Sequence, residues 1–152
     1  MEKDKYYFMK KAIDQALNAQ KCDEVPIGAV IVKNGAIISR GYNRRESSQI
    51  ATNHAEIIAI NKACKKLNSW RLDDCELYVT LEPCAMCAGA ILNARIKKVY
   101  FGAYEKKGGA VESSLCVLSG KAGLNWTSEY EGGVLKDACA KLLTDFFVKK
   151  RQ

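Results

Sequence analysis

The only histidine of the chain stands in His54-Ala55-Glu56, and a Cys-x-x-Cys pair follows in Pro83-Cys84-Ala85-Met86-Cys87. Zinc takes thiolates and imidazole nitrogens in a tetrahedral array, and a catalytic site keeps three protein ligands and leaves the fourth position to water. His54, Cys84 and Cys87 supply three such ligands. Residues i and i+2 do not share a helix face, so Glu56 approaches the metal region differently from His54. A carboxylate beside the open position, and not on the metal, is placed to move a proton from the bound water. Zinc lowers the pKa of that water to roughly 7, so a hydroxide nucleophile is available at neutral pH.

Each residue also has a plainer reading. A lone histidine is often a core or surface residue. Asn53-x-x-Glu56 resembles a capping box that would only start a helix. An isolated Cys-x-x-Cys can be a redox pair. Thioredoxin-like chemistry, however, gives no role to a His-x-Glu in front of another helix, and the joint pattern favours one zinc per chain.

The ligands need elements to carry them. Residues 5–19 place Met9, Ile13, Ala16 and Leu17 on one helical stripe. Residues 28–33 and 36–42 are β-rich and separated by Asn34-Gly35, a strong hairpin signal. Residues 43–52 read as a loop. A helix is expected over 53–67, with Ile57, Ile58, Ala63 and Cys64 inward and Ile60 less central. Strands over 75–81 and 97–102 flank a helix over 83–95, which implies a right-handed parallel crossover. Pro83 suits the first helical position, where its missing N–H costs nothing. Cys84 and Cys87 then share one face of the first turn, where the helix dipole favours thiolates. Beyond lie a loop (105–109), a short helix (113–118), a weak fifth strand (126–130) and a helix (133–148). Its inward side chains are expected to be Val134, Leu135, Ala138, Cys139, Leu142, Leu143, Phe146 and Phe147. The fold class is α/β: a three-layer α/β/α sandwich with a mixed five-stranded sheet, cytidine-deaminase-like by the resemblance given below. Two helix N-termini would meet at the C-terminal edge of the sheet, the usual place for an α/β site.

The 152 residues suit a single domain, residues 1–152, and 48% apolar with 27% charged is a globular composition that excludes a disordered chain. No apolar run approaches the ~20 residues of a membrane span. The N-terminus carries charges and no apolar core of a signal peptide, so a soluble, cytoplasmic protein without membrane association is expected. Seven cysteines cannot all pair, and in a reducing compartment clustered cysteines point to metal or catalysis. Cys22, Cys64, Cys75, Cys116 and Cys139 read as small core hydrophobes. The net charge of +7 suits polyanionic partners. Lys149, Lys150 and Arg151 follow Phe146 and Phe147 at the end of the last helix. They are either a solvated terminus suited to the helix dipole or a grip on RNA phosphates with an aromatic for base stacking.

His-Ala-Glu followed by Pro-Cys-Ala-Met-Cys is the signature of zinc-dependent nucleobase deaminases. The segments VPIGAVIV, Gly41-Tyr42-Asn43, NHAEIIAI, LYVTLEPCAMCAGAI, RIKKVYFGA and TDFFVKKRQ extend the match, and the chain resembles the bacterial tRNA-specific adenosine deaminases over residues 5–152. The resemblance implies a homodimer that converts adenosine to inosine at the first anticodon position, with a tRNA anticodon stem-loop as partner. It implies Zn2+ on His54, Cys84 and Cys87, with Glu56 shuttling protons to the ring and the departing amine. Asn43 would hydrogen-bond the flipped nucleoside, and Val25, Pro26 and Ala55 would line the pocket; without the resemblance, Asn43 reads equally as a turn residue. The loop with Glu105 and Lys107, and the tail with Phe146, Lys150 and Arg151, would meet RNA. Glu105 stands where the family commonly has Asp, and Glu112 where Gly is common, which touches RNA preference and not chemistry. Two rival readings stay open: a zinc deaminase of a free base such as guanine or cytosine, and a non-catalytic zinc module that binds RNA.

Overall fold

The computed structural model describes residues 3–121 and 123–151; Met1, Glu2, Ala122 and Gln152, the ends of the expected domain among them, lie outside the description. Five strands form one sheet in the order β2-β1-β3-β4-β5: β1 (Gly28–Lys33), β2 (Ala36–Tyr42), β3 (Cys75–Leu81), β4 (Lys98–Ala103) and β5 (Glu129–Glu131). The β1–β2 and β1–β3 pairs are antiparallel, while β3–β4 and β4–β5 are parallel. Asn34 and Gly35, both at positive φ, close the hairpin.

Helices cover both faces. α1 (Lys5–Lys21) and α5 (Lys136–Lys150) pack Phe8, Met9, Ala12 and Cys139 against Val30, Val32 and Tyr78 on one side. α3 (Ala55–Leu67) and α4 (Ala85–Asn93) pack Ala55, Ala59, Ala63, Ala88 and Ile91 against Ala29, Ile31, Leu77, Val79 and Phe101 on the other. The alternation of side chains along a strand sends Ile31 to one layer and Val30 and Val32 to the other. The expected α/β/α sandwich is the observed one.

Several local expectations need correction. Leu17 is 40% exposed and Phe147 45% exposed, and Ala138 is exposed as well. Each sits one residue, about 100° of rotation, away from a buried neighbour on its helix. Ile60 is buried, whereas Ile57 and Ile58 are only half-buried. Cys22 is exposed because it follows the last turn of α1; Cys75 and Cys139 are buried, and Cys64 and Cys116 are intermediate. The fifth strand spans only Glu129–Glu131. Residues 113–118 form turns: the Val111, Glu112 and Ser113 amides bond the Glu82 carboxylate instead of starting a helix. The expected 43–52 loop contains a one-turn helix, α2 (Arg45–Ser48).

Gly41 brings β2 against α3. A Cβ there would lie 2.5 Å from the Ala55 carbonyl oxygen and 2.9 Å from the Ala59 nitrogen, so any side chain must push away the helix that follows His54. Gly41→Ala is expected to destabilise the fold by about 1–3 kcal/mol, read as a lower urea midpoint with an unchanged m-value.

Candidate deaminase site

The site forms where β3 and β4 end. His54 is the N-cap of α3 and Cys84 the N-cap of α4, with Cys87 in the first turn. Pro83 therefore precedes the cap and does not occupy the first helical position. Its carbonyl is free to accept the Ala110 amide at 2.8 Å. Both helix N-termini point their unpaired amides and positive dipole ends toward the cysteines.

The His54 Nδ1 lies 3.7 Å from the Cys84 Sγ and 3.6 Å from the Cys87 Sγ. Ligand lengths of about 2.3 Å for sulfur and 2.0 Å for nitrogen at tetrahedral angles separate N from S by about 3.5 Å. The donor set therefore fits a zinc ion without rearrangement. Among the described residues, this group of His, Cys, Asp and Glu donors stops at these three. The hydrogen bond from the Cys87 thiol, helped by His54, pulls the Cys84 thiol down to about 3. The same Cys84 contact, with burial, pushes the Cys87 thiol up. Hydrogen bonding to Cys84 raises the His54 imidazole.

Glu56 is 4% exposed, and burial pushes its carboxyl up to about 7. Its neighbour Asn53 donates its amide to the Ser48 Oγ at 2.9 Å, and the helix cap carries no side-chain bond. The capping-box reading of Glu56 fails. Instead, Glu56 and His54 line two adjoining cavities. One, of about 420 Å³, is completed by Ile27, Leu81, Glu82, Cys84, Glu105, Lys107 and Gly108. The other, of about 150 Å³, is completed by Val25, Ile27, Asn43, Arg45 and Ala55.

A family model described as MafB19-like deaminase matches residues 2–151. The chain is 47% identical to the tRNA-specific adenosine deaminase of Bacillus subtilis (strain 168), over 100% of this chain and 93% of that protein. It is 46% identical to that of Aquifex aeolicus (strain VF5), over 97% and 96%. The chain belongs to the tRNA-specific adenosine deaminase family. A structure solved in a study of A-to-I editing by tRNA:A34 deaminases at the wobble position superposes on this member of the family with TM-score 0.86 at 43% identity, covering 90% of this chain and 99% of that one. The guanine deaminase of Bacillus subtilis is 39% identical over 74% of this chain and 83% of that one, with TM-score 0.64.

Of the residues singled out by sequence in this tRNA-specific adenosine deaminase relative, His54, Cys84, Cys87, Glu56, Val25, Asn43, Ala55, Glu105 and Lys107 come together around the two cavities. Pro26 does not line either one. The Ile27 amide bonds the Val25 carbonyl at 2.8 Å in a three-residue turn, which sets Val25 and Ile27 on the cavity side and buries Pro26 at the corner. The Asn43 amide nitrogen bonds the Val25 carbonyl at 3.3 Å, and its oxygen accepts the Arg45 amide at 3.2 Å. Phe146 and Lys150 line a third cavity of about 510 Å³ that shares Val25, Asn43 and Arg45 with the second. Lys150 is paired with Asp23 at 2.5 Å. Arg151 is not brought to any of the three cavities, because its Nε bonds the Phe147 carbonyl of its own helix.

Sequence reasoning missed Ile27, Arg45, Glu24 and Glu82. Glu24 and Glu82 are buried carboxylates whose partners are backbone amides far along the chain, which no local pattern reveals. The available signal was a charged residue set directly beside an apolar strand run, Glu24 before VPIGAVIV and Glu82 after LYVTL. Glu24 accepts the amides of Glu46 and Ser47 and so builds α2 beside Asn43. Burial alone would raise its carboxyl, but the Ser47 and Glu46 hydrogen bonds and the Arg44 charge together hold it below the ordinary value. A depressed folded pKa contributes stability above the unfolded value that is lost as pH falls through the folded one. Glu24→Gln is expected to cost about 1–3 kcal/mol at pH 7. Unfolding curves over pH 7 to 3 should show the gap to wild type persisting to about pH 4.3 and narrowing below it.

Proposed function

We propose that the chain hydrolyses adenosine to inosine at the first anticodon position of tRNA, with one zinc per chain held by His54, Cys84 and Cys87. The observation that carries this reading is three donors at tetrahedral separation with the buried Glu56 carboxylate on the same cavity. Zinc in that position would supply a hydroxide nucleophile near neutral pH. Glu56 takes a proton from the attacking water and gives it to the ring nitrogen, then takes the proton of the new C6 hydroxyl and gives it to the departing amine; a carbon–oxygen bond forms at C6, the C6–N bond breaks, and ammonia leaves. A carboxyl raised by burial to about 7 suits a group that must both accept and give protons.

Asn43, already tied through one amide hydrogen and its oxygen, keeps its second amide hydrogen for the nucleoside, with Val25 and Ala55 beside it. Glu105 and Lys107 face the ring from the opposite wall. Lys107, Lys150 and Phe146 meet the RNA, and a stem-loop suits them because a loop base is splayed out at lower cost than a paired one. In this reading the protein acts in the cytoplasm as a homodimer, each chain a single deaminase domain. No helix among the described residues is long and apolar enough to cross a membrane.

The likeness to a guanine deaminase supports a second reading, deamination of a free purine. Incubation with an anticodon stem-loop RNA and, separately, with guanine, cytosine and adenosine separates the two. Inosine in the RNA with the free compounds unchanged supports the tRNA reading; rapid turnover of a free base overturns it. Against the non-catalytic module reading, no fourth protein ligand of the kind a closed zinc site needs lies beside the three donors among the described residues.

Cys87→Ala or His54→Ala is expected to lose zinc, measured by metal analysis of the purified protein, together with thermal stability, because metal binding energy is also folding energy. Glu56→Ala should keep zinc and fold yet lose turnover by about 10²–10⁴-fold or more. A variant within tenfold of wild type would remove Glu56 from the mechanism.

A further inference from the structure

Glu82 lies at the end of β3, two residues before Cys84, and is 2% exposed. Its Oε2 accepts the amides of Val111 at 3.1 Å, Glu112 at 2.8 Å and Ser113 at 2.9 Å. Its Oε1 accepts the Glu105 amide at 3.1 Å and the Ser113 hydroxyl at 2.5 Å. Among the described residues, no lysine or arginine nitrogen pairs with it; every hydrogen-bond partner comes from one loop. That loop leaves β4, presents Glu105, Lys107 and Gly108 to the larger cavity, and returns past the carboxylate.

Two further contacts join the loop to the ligand segment. The Ala110 amide bonds the Pro83 carbonyl at 2.8 Å, and Gly109 bridges to Cys84. Gly109 packs on the carboxylate itself: a Cβ there would lie 2.5 Å from the Glu82 Oε1 and 2.5 Å from the Glu105 carbonyl oxygen. Three N–H groups converging on one oxygen require an acceptor-only group with several lone pairs, which a carboxylate has and an amide does not. The oxygens that could act on a substrate are therefore occupied by the loop. Glu56 differs in this respect, although both carboxylates border one cavity.

We propose that Glu82 is a positioning residue: its carboxylate fixes the 105–113 loop as the substrate wall facing His54 and Glu56, and so sets RNA affinity independently of zinc binding and proton transfer. The functional half of this inference rests on the RNA-deaminase reading above; the clamp itself does not.

The test compares wild type with Glu82→Gln, Gly109→Ala and Ser113→Ala on an anticodon stem-loop RNA, with metal analysis and amide hydrogen exchange on each. Glu82→Gln and Gly109→Ala are expected to raise KM by about tenfold or more with kcat changed by less than about threefold, since small displacements of a positioning wall are costly. Zinc per chain should equal wild type. The amides of 105 and 111–113 should exchange faster, while those of α4 stay protected. Ser113→Ala, which removes one hydroxyl and leaves four amide bonds, should fall between wild type and Gly109→Ala in both readouts. Should Glu82→Gln fail to fold, the graded KM of the other two variants decides. An unchanged KM with faster loop exchange overturns the proposal, as does unchanged exchange, or loss of zinc or kcat with KM held. Wild-type protein that leaves the RNA untouched would sink the deaminase reading, while the exchange data would still judge the clamp.

Discussion

Everything in the site depends on two helices starting at the same place. α3 and α4 both begin beyond the sheet edge where β3 ends, and their first residues are the donors: His54 and Cys84 as caps, Cys87 one turn in. A helix N-terminus leaves its first amides without intrahelical partners and carries partial positive charge. Two such ends at one place stabilise negative charge on the donors, and the His54 imidazole completes a set spaced for a tetrahedral ion. The small side chains of the α3–α4 layer make this possible. Ala55, Ala59, Ala63 and Ala88 are all fully buried, so both helices sit close on the sheet and their starts converge.

Around that centre, the walls are held by carboxylates whose oxygens are bonded to backbone amides. Glu24 gathers the amides of α2 on one side, and Glu82 those of the 105–113 loop on the other. Each is buried, makes no salt bridge among the described residues, and is satisfied almost wholly by backbone N–H groups, with the Arg44 charge adding to the hold on Glu24. Hydrogen bonds to a charged acceptor are stronger than neutral ones, so irregular segments become as well placed as the helices. Glu56 is the exception: buried equally deeply, it keeps its carboxyl toward the cavity and is the one raised toward neutrality. Three buried glutamates thus divide into two that shape the cavity and one that can exchange protons in it.

The cavities are built from two kinds of support. The metal donors and Glu56 rest on regular helices, whereas Glu105, Lys107 and Arg45 rest on the clamped loop and the one-turn helix. Glu105 uses its own carboxylate to accept the Lys107 amide at 3.1 Å, which holds that side chain within the loop. The tail contributes less than its charge promised. Arg151 bonds its own helix and Lys150 is paired with Asp23, which leaves Phe146, Phe147 and the Lys150 stem as the tail groups at the shared cavity.

The sequence by itself determined the His/Cys/Cys cluster, the carboxylate beside it and the layered fold. Strand alternation, the Asn34-Gly35 turn, the helical stripes and the His-x-Glu and Cys-x-x-Cys spacings are short-range patterns, and the physics that reads them acts over a few residues. Only the tertiary structure decided what lies across the cavity. That Glu82 captures amides up to 31 residues away, that Val25 and Ile27 reach the cavity while Pro26 does not, and that Phe146 is buried while Phe147 is exposed all depend on contacts between segments distant in the chain. A local pattern cannot encode them, because the same residue types satisfy several packings and only the assembled sheet selects one.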